Sequence, residues 1–452
     1  MWELTDAYEF TMIETVLAEG HADVPIVAEV FARGLTEDKG WFWGRDSIAK
    51  ALRDFDPNVL IEYLTSLEET QGYNFERTKK KLKEEFNPEI LALANGQEFA
   101  PHMPVVQVIA PFWQAILMET VICGIVNYET KIATQAKRFV NTTPKPICDM
   151  SARRTHPALS ALHAEIAMAM GFATTSLLAA APGPVTGTMS HAIPVLYEGL
   201  GLGEADGFKA HIEQMGASTL PVDGYSWENA VTDLVTWLPE DSAIRFDTGD
   251  LEVIVPEARR MMDEAGRTDI MIAVCGRLTP ERIEELEAAG IPADSYGVGT
   301  KLVDSPSLCM VYKPIEIDGK PQAKKSGTKP VQAGRKYVFH TGKQIVSLPL
   351  KPSQHYQQLL TPITEDAKPV IAPIKVVGTG SNVGLFAGTF DPPHEGHAAC
   401  INGILDDGAE VVLVSVTGNP WYKDPNPAQT RLEWAHTEFK DEDNHIRPRD
   451  RS

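Results

Sequence analysis

Several polar groupings in this sequence combine cations, small residues and nucleophiles in the way that phosphate chemistry requires. Arg153-Arg154 supplies two adjacent guanidiniums, each able to grip a carboxylate or a phosphate through two parallel bonds. Arg245 is followed by Asp247 and Asp250 around Gly249, a cation beside acids that could hold a metal or sugar hydroxyls. Gly297-Val298-Gly299-Thr300 is a small-residue turn of the kind that lets backbone N–H groups approach a phosphate. Gly187-Thr188-Met189-Ser190-His191 adds an imidazole, a nucleophile near pH 7 when neutral. Far downstream, Gly388-Thr389-Phe390-Asp391-Pro392-Pro393-His394-Glu395-Gly396-His397 puts two histidines after a tight turn. If that turn leads from a strand into a helix, helix N–H groups, His394 and His397 all aim at a nucleotide's phosphates. Taken singly most of these are weak. A GxGT loop is more often a plain turn, and an arginine pair more often a surface feature.

The elements that must position these groups alternate. Ala158 to Met170 reads as a helix, Ala243 to Phe246 as a strand, Pro256 to Ala265 as a helix and Ile270 to Val274 as a strand. Pro280 to Ala289 is a helix that Thr279 can cap. Serial β-α-β spacing implies a parallel sheet, open or closed into a barrel, with chemistry at the C-terminal ends of its strands. Upstream, Pro57 to Asn95 is helix-like, Pro104 to Ala110 a strand and Ile116 to Val140 a long helix. Lys79-Lys80-Lys81 reads as a solvated helix face. Pro184 to Gly187 reads as a strand end. Prolines punctuate 348–382, the expected linker, before a new strand at Val383 to Ala387.

At 452 residues, two or three domains are expected. The formal charge of -21 disfavours non-specific binding to nucleic acid or anionic lipid. Any polyphosphate pocket must therefore be locally positive against the global field. Five scattered cysteines without a CxxC fit a reducing compartment, and a cytoplasmic protein without a membrane span is expected.

In their order along the chain, the motifs resemble the nicotinate phosphoribosyltransferases. Leu4-Thr5-Asp6-Ala7-Tyr8-Glu9-Phe10-Thr11-Met12 looks like the family's LTDxYxxTM opening, and Ser151-Ala152-Arg153-Arg154 its double-arginine motif. Gly187 to His191 matches GTxxH, Val222-Asp223-Gly224-Tyr225 resembles the DTY segment, and Arg245 to Asp250 matches Arg-x-Asp-Ser-Gly-Asp. Tyr296 to Thr300 and Val311-Tyr312-Lys313 close the set, which covers roughly residues 2 to 345. The resemblance implies a type II, quinolinate phosphoribosyltransferase-like α/β fold. An α/β sandwich-like domain (1–125, completed by about 320–350) would accompany an irregular α/β barrel (126–320).

The resemblance also implies chemistry. Nicotinate, phosphoribosyl pyrophosphate and ATP would be substrates, with Mg2+ as cofactor, and the product would be nicotinate mononucleotide. His191 would be transiently phosphorylated, and Asp247 would lie near the ribose. Tyr8 would stack on the pyridine ring, in the partner's site of a homodimer. Arg153, Arg154 and Arg245 would hold carboxylate and phosphate, with Asp250 close by, while Gly297, Gly299 and Thr300 would meet the 5'-phosphate. Ser176 stands where the related nicotinamide enzymes carry an aspartate, so its lack of charge favours the acid. Departures are a shortened stretch after Ser176, Gly224 for threonine, and Cys275-Gly276-Arg277 for a Ser-Gly-Asp-type turn.

The second motif resembles the nucleotidylyltransferases, nicotinate mononucleotide adenylyltransferase among them, with His394 and His397 at the nucleotide. About 70 residues follow Asn382, fewer than such a domain needs for its own core, so a truncated Rossmann-like unit over 383–452 is expected. Two other readings stay open. The chain could be a non-catalytic binding relative, or a nucleotidylyltransferase with an N-terminal scaffold.

Overall fold

A computed structural model describes residues 2–35, 37–178, 185, 188–325, 331–340, 345–349, 357–363, 374–378, 383–388 and 411–416. His394, His397, Gly187 and most of the expected linker lie outside the described residues.

The run Pro25–Ala32 is apolar on both faces apart from Glu29, and seven of its eight residues are buried, as befits a central strand. It anchors a six-stranded antiparallel sheet in the order Lys320–Pro321, Met310–Ile317, Pro25–Ala32, Val106–Pro111, Glu89–Ala92 and Thr361–Pro362. Three expectations change here. Glu89–Ala92 is a strand, because Ile90, Leu91 and Ala92 are buried against Val106–Pro111, so the helical reading of 57–95 holds only for Pro57–Gln71 and Glu76–Lys81. The expected linker contributes Thr361–Pro362 to this sheet, where it pairs with Leu91 and Ala92. Met310–Ile317 joins the same sheet rather than the second half of the chain.

Lys79-Lys80-Lys81 is also not simply a solvated face. Lys79 pairs with Glu68 at 2.6 Å and Glu76 at 2.7 Å. Lys81 is buried, pairs with Asp23 and Glu84, and lies 5.8 Å from the Trp113 ring centre. Acids on neighbouring elements recruit the patch into the fold.

The second sheet is parallel throughout. Its order is Thr174–Thr175, Ile147–Asp149, Ser295–Val298, Met271–Val274, Ala243–Phe246, Thr219–Pro221. The fold is thus α/β with a half-barrel: among the described residues the two edge strands do not pair, and Thr175 makes one isolated bridge to Val185. Between the strands run Pro157–Ala169, Leu251–Glu264 and Pro280–Ala288, the last capped by the Thr279 hydroxyl, which accepts from the Arg282 N–H. The middle helix starts five residues before Pro256, which is tolerated inside it although its ring nitrogen has no hydrogen to donate to the carbonyl four residues back.

Glu119–Thr142 ties the halves together. Val121, Ile122 and Val126 belong to the core under the antiparallel sheet, and Ile132, Ala133, Ala136 and Phe139 to the core under the parallel one. One long amphipathic helix thus sets the distance between two cores. Farther on, Val383–Gly388 and Val411–Val416 pair in parallel beside antiparallel Ile374–Gly378. No described helix is long and apolar enough to cross a membrane.

Candidate active site

The loops leaving the C-terminal ends of the parallel strands surround a pocket of about 460 Å3. Arg153, Arg154, Ser176, Arg245, Asp247, Gly297, Gly299 and Thr300 line it, joined by Met150, Thr188, Ser190, Cys275, Gly276 and Arg277. Eight of the residues singled out from the sequence therefore meet in one place, although they span 148 positions.

Arg245 is the penultimate residue of the strand Ala243–Phe246 and is buried, with 5% exposure. Its Nε donates to Asp247 Oδ1 at 3.0 Å and its Nη1 to the Thr188 hydroxyl at 2.7 Å and the Met189 carbonyl at 3.3 Å. The guanidinium is therefore neutralised and oriented before any substrate arrives. Arg153 and Arg154 differ: they are exposed on a short 3-10 turn and form no ion pair among the described residues. They are cations free to meet an anion.

Beneath the arginine pair, the buried Asp149 accepts the Ser151 N–H at 2.9 Å and the Thr175 hydroxyl at 3.0 Å. The Asp149 carbonyl also accepts the Ser176 N–H at 2.8 Å, which holds Ser176 at the pocket wall. The Ser151 hydroxyl meets His163 Nδ1 at 3.0 Å, and burial pushes the His163 imidazole below its ordinary range. This buried layer, of which the sequence motifs mark only Ser151, holds the wall in place.

Small residues are required where the loops crowd. A Cβ on Gly297 would lie 2.4 Å from Cys275 Sγ, and one on Gly299 would lie 3.0 Å from the Met150 carbonyl oxygen. Burial raises the Cys275 thiol to about 12, with the Asp247 charge adding to the effect, so it is a packing residue rather than a nucleophile.

His191, half-exposed, does not line the pocket but stands at the next layer. Its Nε2 lies 2.8 Å from Asp223 Oδ1. Asp223 Oδ2 accepts the Asp247 and Thr248 N–H groups and the Thr248 hydroxyl, each at 2.8 Å. Burial pushes the Asp223 carboxyl upward, but the bonds from His191, Thr248 and the Asp247 N–H outweigh it and hold the group below its ordinary range. One carboxylate thus connects the histidine to the Asp247 loop. Sequence reading picked out the segment around Asp223 but not its role; the resemblance to the DTY segment was the available signal.

Two expected residues lie elsewhere. Asp250 is exposed at the start of the helix Leu251–Glu264 and does not line the pocket. Tyr8, 41% exposed on Ala7–Ala18, is part of the antiparallel half; burial and the charges of Glu119 and Glu9 raise its hydroxyl to about 12. No group of three or more His, Cys, Asp or Glu side chains among the described residues is placed to hold a metal.

A half-barrel with arginines and a glycine turn at its strand ends is the site of a phosphoribosyltransferase-like protein. The nicotinate phosphoribosyltransferase N-terminal domain model matches residues 4–127, and a cytidylyltransferase-like model matches 385–452. A nicotinate phosphoribosyltransferase of Mycobacterium tuberculosis is 36% identical over 349 residues, 74% of this chain and 76% of the relative. One from Bacillus subtilis is 31% identical over 339 residues, 70% of this chain and 67% of the relative. In structure, the chain is similar to nicotinate-nucleotide pyrophosphorylase from Pyrococcus furiosus, with a TM-score of 0.65 and 22% identity over 80% of this chain and 89% of that one. It is similar also to human nicotinic acid phosphoribosyltransferase, with a TM-score of 0.60 and 21% identity over 79% and 88%. The chain belongs to the nicotinate phosphoribosyltransferase family.

Proposed function

We propose that this enzyme makes nicotinate mononucleotide from nicotinate and phosphoribosyl pyrophosphate, a step of NAD biosynthesis, with ATP hydrolysis coupled to it. The observation that carries the reading is the convergence of free and neutralised arginines, Asp247 and the glycine turn on one pocket in a chain of this family. The pyridine nitrogen attacks the ribose C1, and the bond from C1 to the diphosphate breaks. Asp247 would meet the ribose as C1 becomes electron-poor, and its place on the pocket wall supports that role. The exposed pair Arg153-Arg154 offers charge to the substrate anions, and Ser176 leaves the acceptor end of the pocket without a competing carboxylate.

ATP would phosphorylate His191. With Asp223 accepting from Nε2–H, the lone pair lies on Nδ1, the nitrogen that would take the phosphoryl group. Asp223 also accepts from the Asp247 and Thr248 N–H groups, so a change of charge on His191 reaches the ribose loop through one carboxylate. Mg2+ would enter with the substrate phosphates, as it usually does in phosphoryl and pyrophosphoryl chemistry. Tyr8 would act in the partner's site of a homodimer; its exposure in the antiparallel half, outside the lining of this chain's own pocket, supports that assignment.

The test is product formation by purified protein with nicotinate or nicotinamide as acceptor. Nicotinate mononucleotide with a preference for the acid is expected, and absence of product sinks the reading. His191→Ala should keep a basal transferase rate and lose stimulation by ATP; an ATP-stimulated variant would remove His191 from the coupling.

A second reading concerns the C-terminal segment. The cytidylyltransferase-like match and the parallel pairing of Val383–Gly388 with Val411–Val416 favour a Rossmann-like nucleotidylyltransferase unit there, with His394 and His397 at the nucleotide. Release of pyrophosphate from ATP and nicotinate mononucleotide tests it.

A further inference from the structure

We propose that Arg277 clamps the 5'-phosphate of the phosphoribosyl group, an assignment that rests on the phosphoribosyltransferase reading of this pocket. Arg277 lines the pocket, is exposed, and forms no ion pair or side-chain hydrogen bond among the described residues. Other arginines of the same half are occupied: Arg259 holds Asp263, Arg260 holds Glu257 and Glu264, Arg267 holds Asp269, and Arg282 holds Glu252 and Glu285. In a chain of charge -21, a guanidinium without an acid beside it is a cation kept available.

The backbone supports the same assignment. Arg277 has a φ of 57°, in the left-handed region that residues with a Cβ enter at a cost. Gly276 before it has a φ of 95°, and a Cβ there would lie 2.1 Å from the Asp247 carbonyl oxygen. The chain therefore reverses tightly against the Asp247 loop and presents Arg277 at the pocket instead of letting it turn outward. Strain of this kind persists where the surrounding structure imposes it, commonly at ligand clamps.

Position in the sheet identifies the anion. Met271–Val274 lies between Ala243–Phe246 and Ser295–Val298, so Arg277 sits between Asp247 and the turn Gly297-Val298-Gly299-Thr300. On the other side of that turn, Ile147–Asp149 leads to Arg153-Arg154. A phosphate resting on the turn is thus bracketed by guanidiniums from both neighbouring strands. Arg245 cannot take Arg277's part, because its N–H groups already serve Asp247, Thr188 and the Met189 carbonyl.

The experiment is calorimetric titration of the full chain with ribose 5-phosphate and, separately, with inorganic pyrophosphate. Arg277→Ala should weaken ribose 5-phosphate binding about tenfold or more, as loss of a charge-assisted contact does, and affect pyrophosphate less. Arg277→Lys should recover part of the affinity. Arg277→Gly should bind as poorly as Arg277→Ala yet melt no lower than the wild type, because glycine relieves the left-handed strain. A loss below about fivefold, or an equal or larger loss for pyrophosphate, overturns the clamp, as does a wild type that binds no ribose 5-phosphate. A wild type that binds ribose 5-phosphate but makes no nicotinate mononucleotide would refute the proposed reaction and leave the clamp standing.

Discussion

Both halves hold charged side chains, but the antiparallel one buries a carboxylate and an ammonium as a pair while the parallel one leaves several guanidiniums unpaired at its strand ends. In the antiparallel half Glu29 is fully buried and Lys336, 5% exposed, is ion-paired to it. Gln107 Nε2 donates to Glu29 Oε1 at 2.9 Å and to the Lys336 carbonyl at 2.6 Å, and the Lys336 N–H donates to Glu29 Oε1 at 3.0 Å. In the parallel half Arg245 is just as buried and paired, but its neighbours Arg153, Arg154 and Arg277 have no partner among the described residues. A desolvated pair satisfied inside the protein has nothing left to offer a ligand. A cation held in place without an acid gains its partner only on binding. The first kind organises the fold and the second recognises substrate.

Variants at the two buried cations test that division most severely. Lys336→Met should cost about 3–5 kcal/mol of stability, because it strands the Glu29 carboxylate in the core. Chemical denaturation checks this, and the folded fraction should keep its KM values. Arg245→Ala should instead lower kcat/KM at least ~30-fold, about 2 kcal/mol, because Asp247 and Thr188 at the pocket lose the guanidinium that orients them. If Arg245→Ala proved only destabilising, with unchanged kinetics in the folded fraction, the contrast would dissolve.

A smaller effect sharpens the comparison at the pocket wall. Ser176→Asp places a carboxylate where the unpaired arginines hold the field positive, and should lower nicotinate use tenfold or more relative to nicotinamide, about 1.4 kcal/mol. A preference that stays put would show that residue 176 does not face the acceptor.

The smallest expected effect lies at an unpaired acid of the antiparallel half. Glu9 is fully buried; its Oε1 accepts the Thr120 N–H at 2.8 Å, and burial pushes its carboxyl up to about 8. The folded value exceeds the unfolded one, so the folded state binds the extra proton between about 4.5 and 8. Its contribution to stability is full below that window and is lost as pH rises through it. Glu9→Gln keeps the Thr120 acceptor and removes the charge. It should raise the Tm at pH 8, by at least a few degrees, and change little near pH 4.5. An equal gain at both pH values would mean that packing, not ionisation, sets the cost.

Much of the candidate site was legible because its parts are local in sequence. Arg153-Arg154, the Arg245 to Asp247 step and the Gly297 to Thr300 turn are short motifs at strand ends, where β-α-β periodicity already predicts chemistry, and all three line the pocket. Thr279 as a cap and the strands at 243–246 and 271–274 were readable for the same reason. Glu89–Ala92 was not, since a four-residue apolar run does not distinguish helix from strand until a partner strand decides it. Thr361–Pro362 was hidden by its proline and by partners, Ala92 and Leu91, that lie 269 and 271 positions away.

By itself, the sequence determined that a cation, an acid, an imidazole and a phosphate turn occur in a family-specific order. It could not tell which cations would remain free. That depends on where acids fall in space: Asp247 falls on Arg245, Glu29 falls on Lys336, and none of the described acids pairs with Arg153, Arg154 or Arg277. Nor could it show that Asp223 would join His191 to the Asp247 loop, because Asp223 and Asp247 follow different strands while His191 opens the helix Ala192–Gly199, and only the assembled fold brings them within hydrogen-bonding distance. Residue types are local information, whereas charge compensation is a property of distances, and only the tertiary structure sets those.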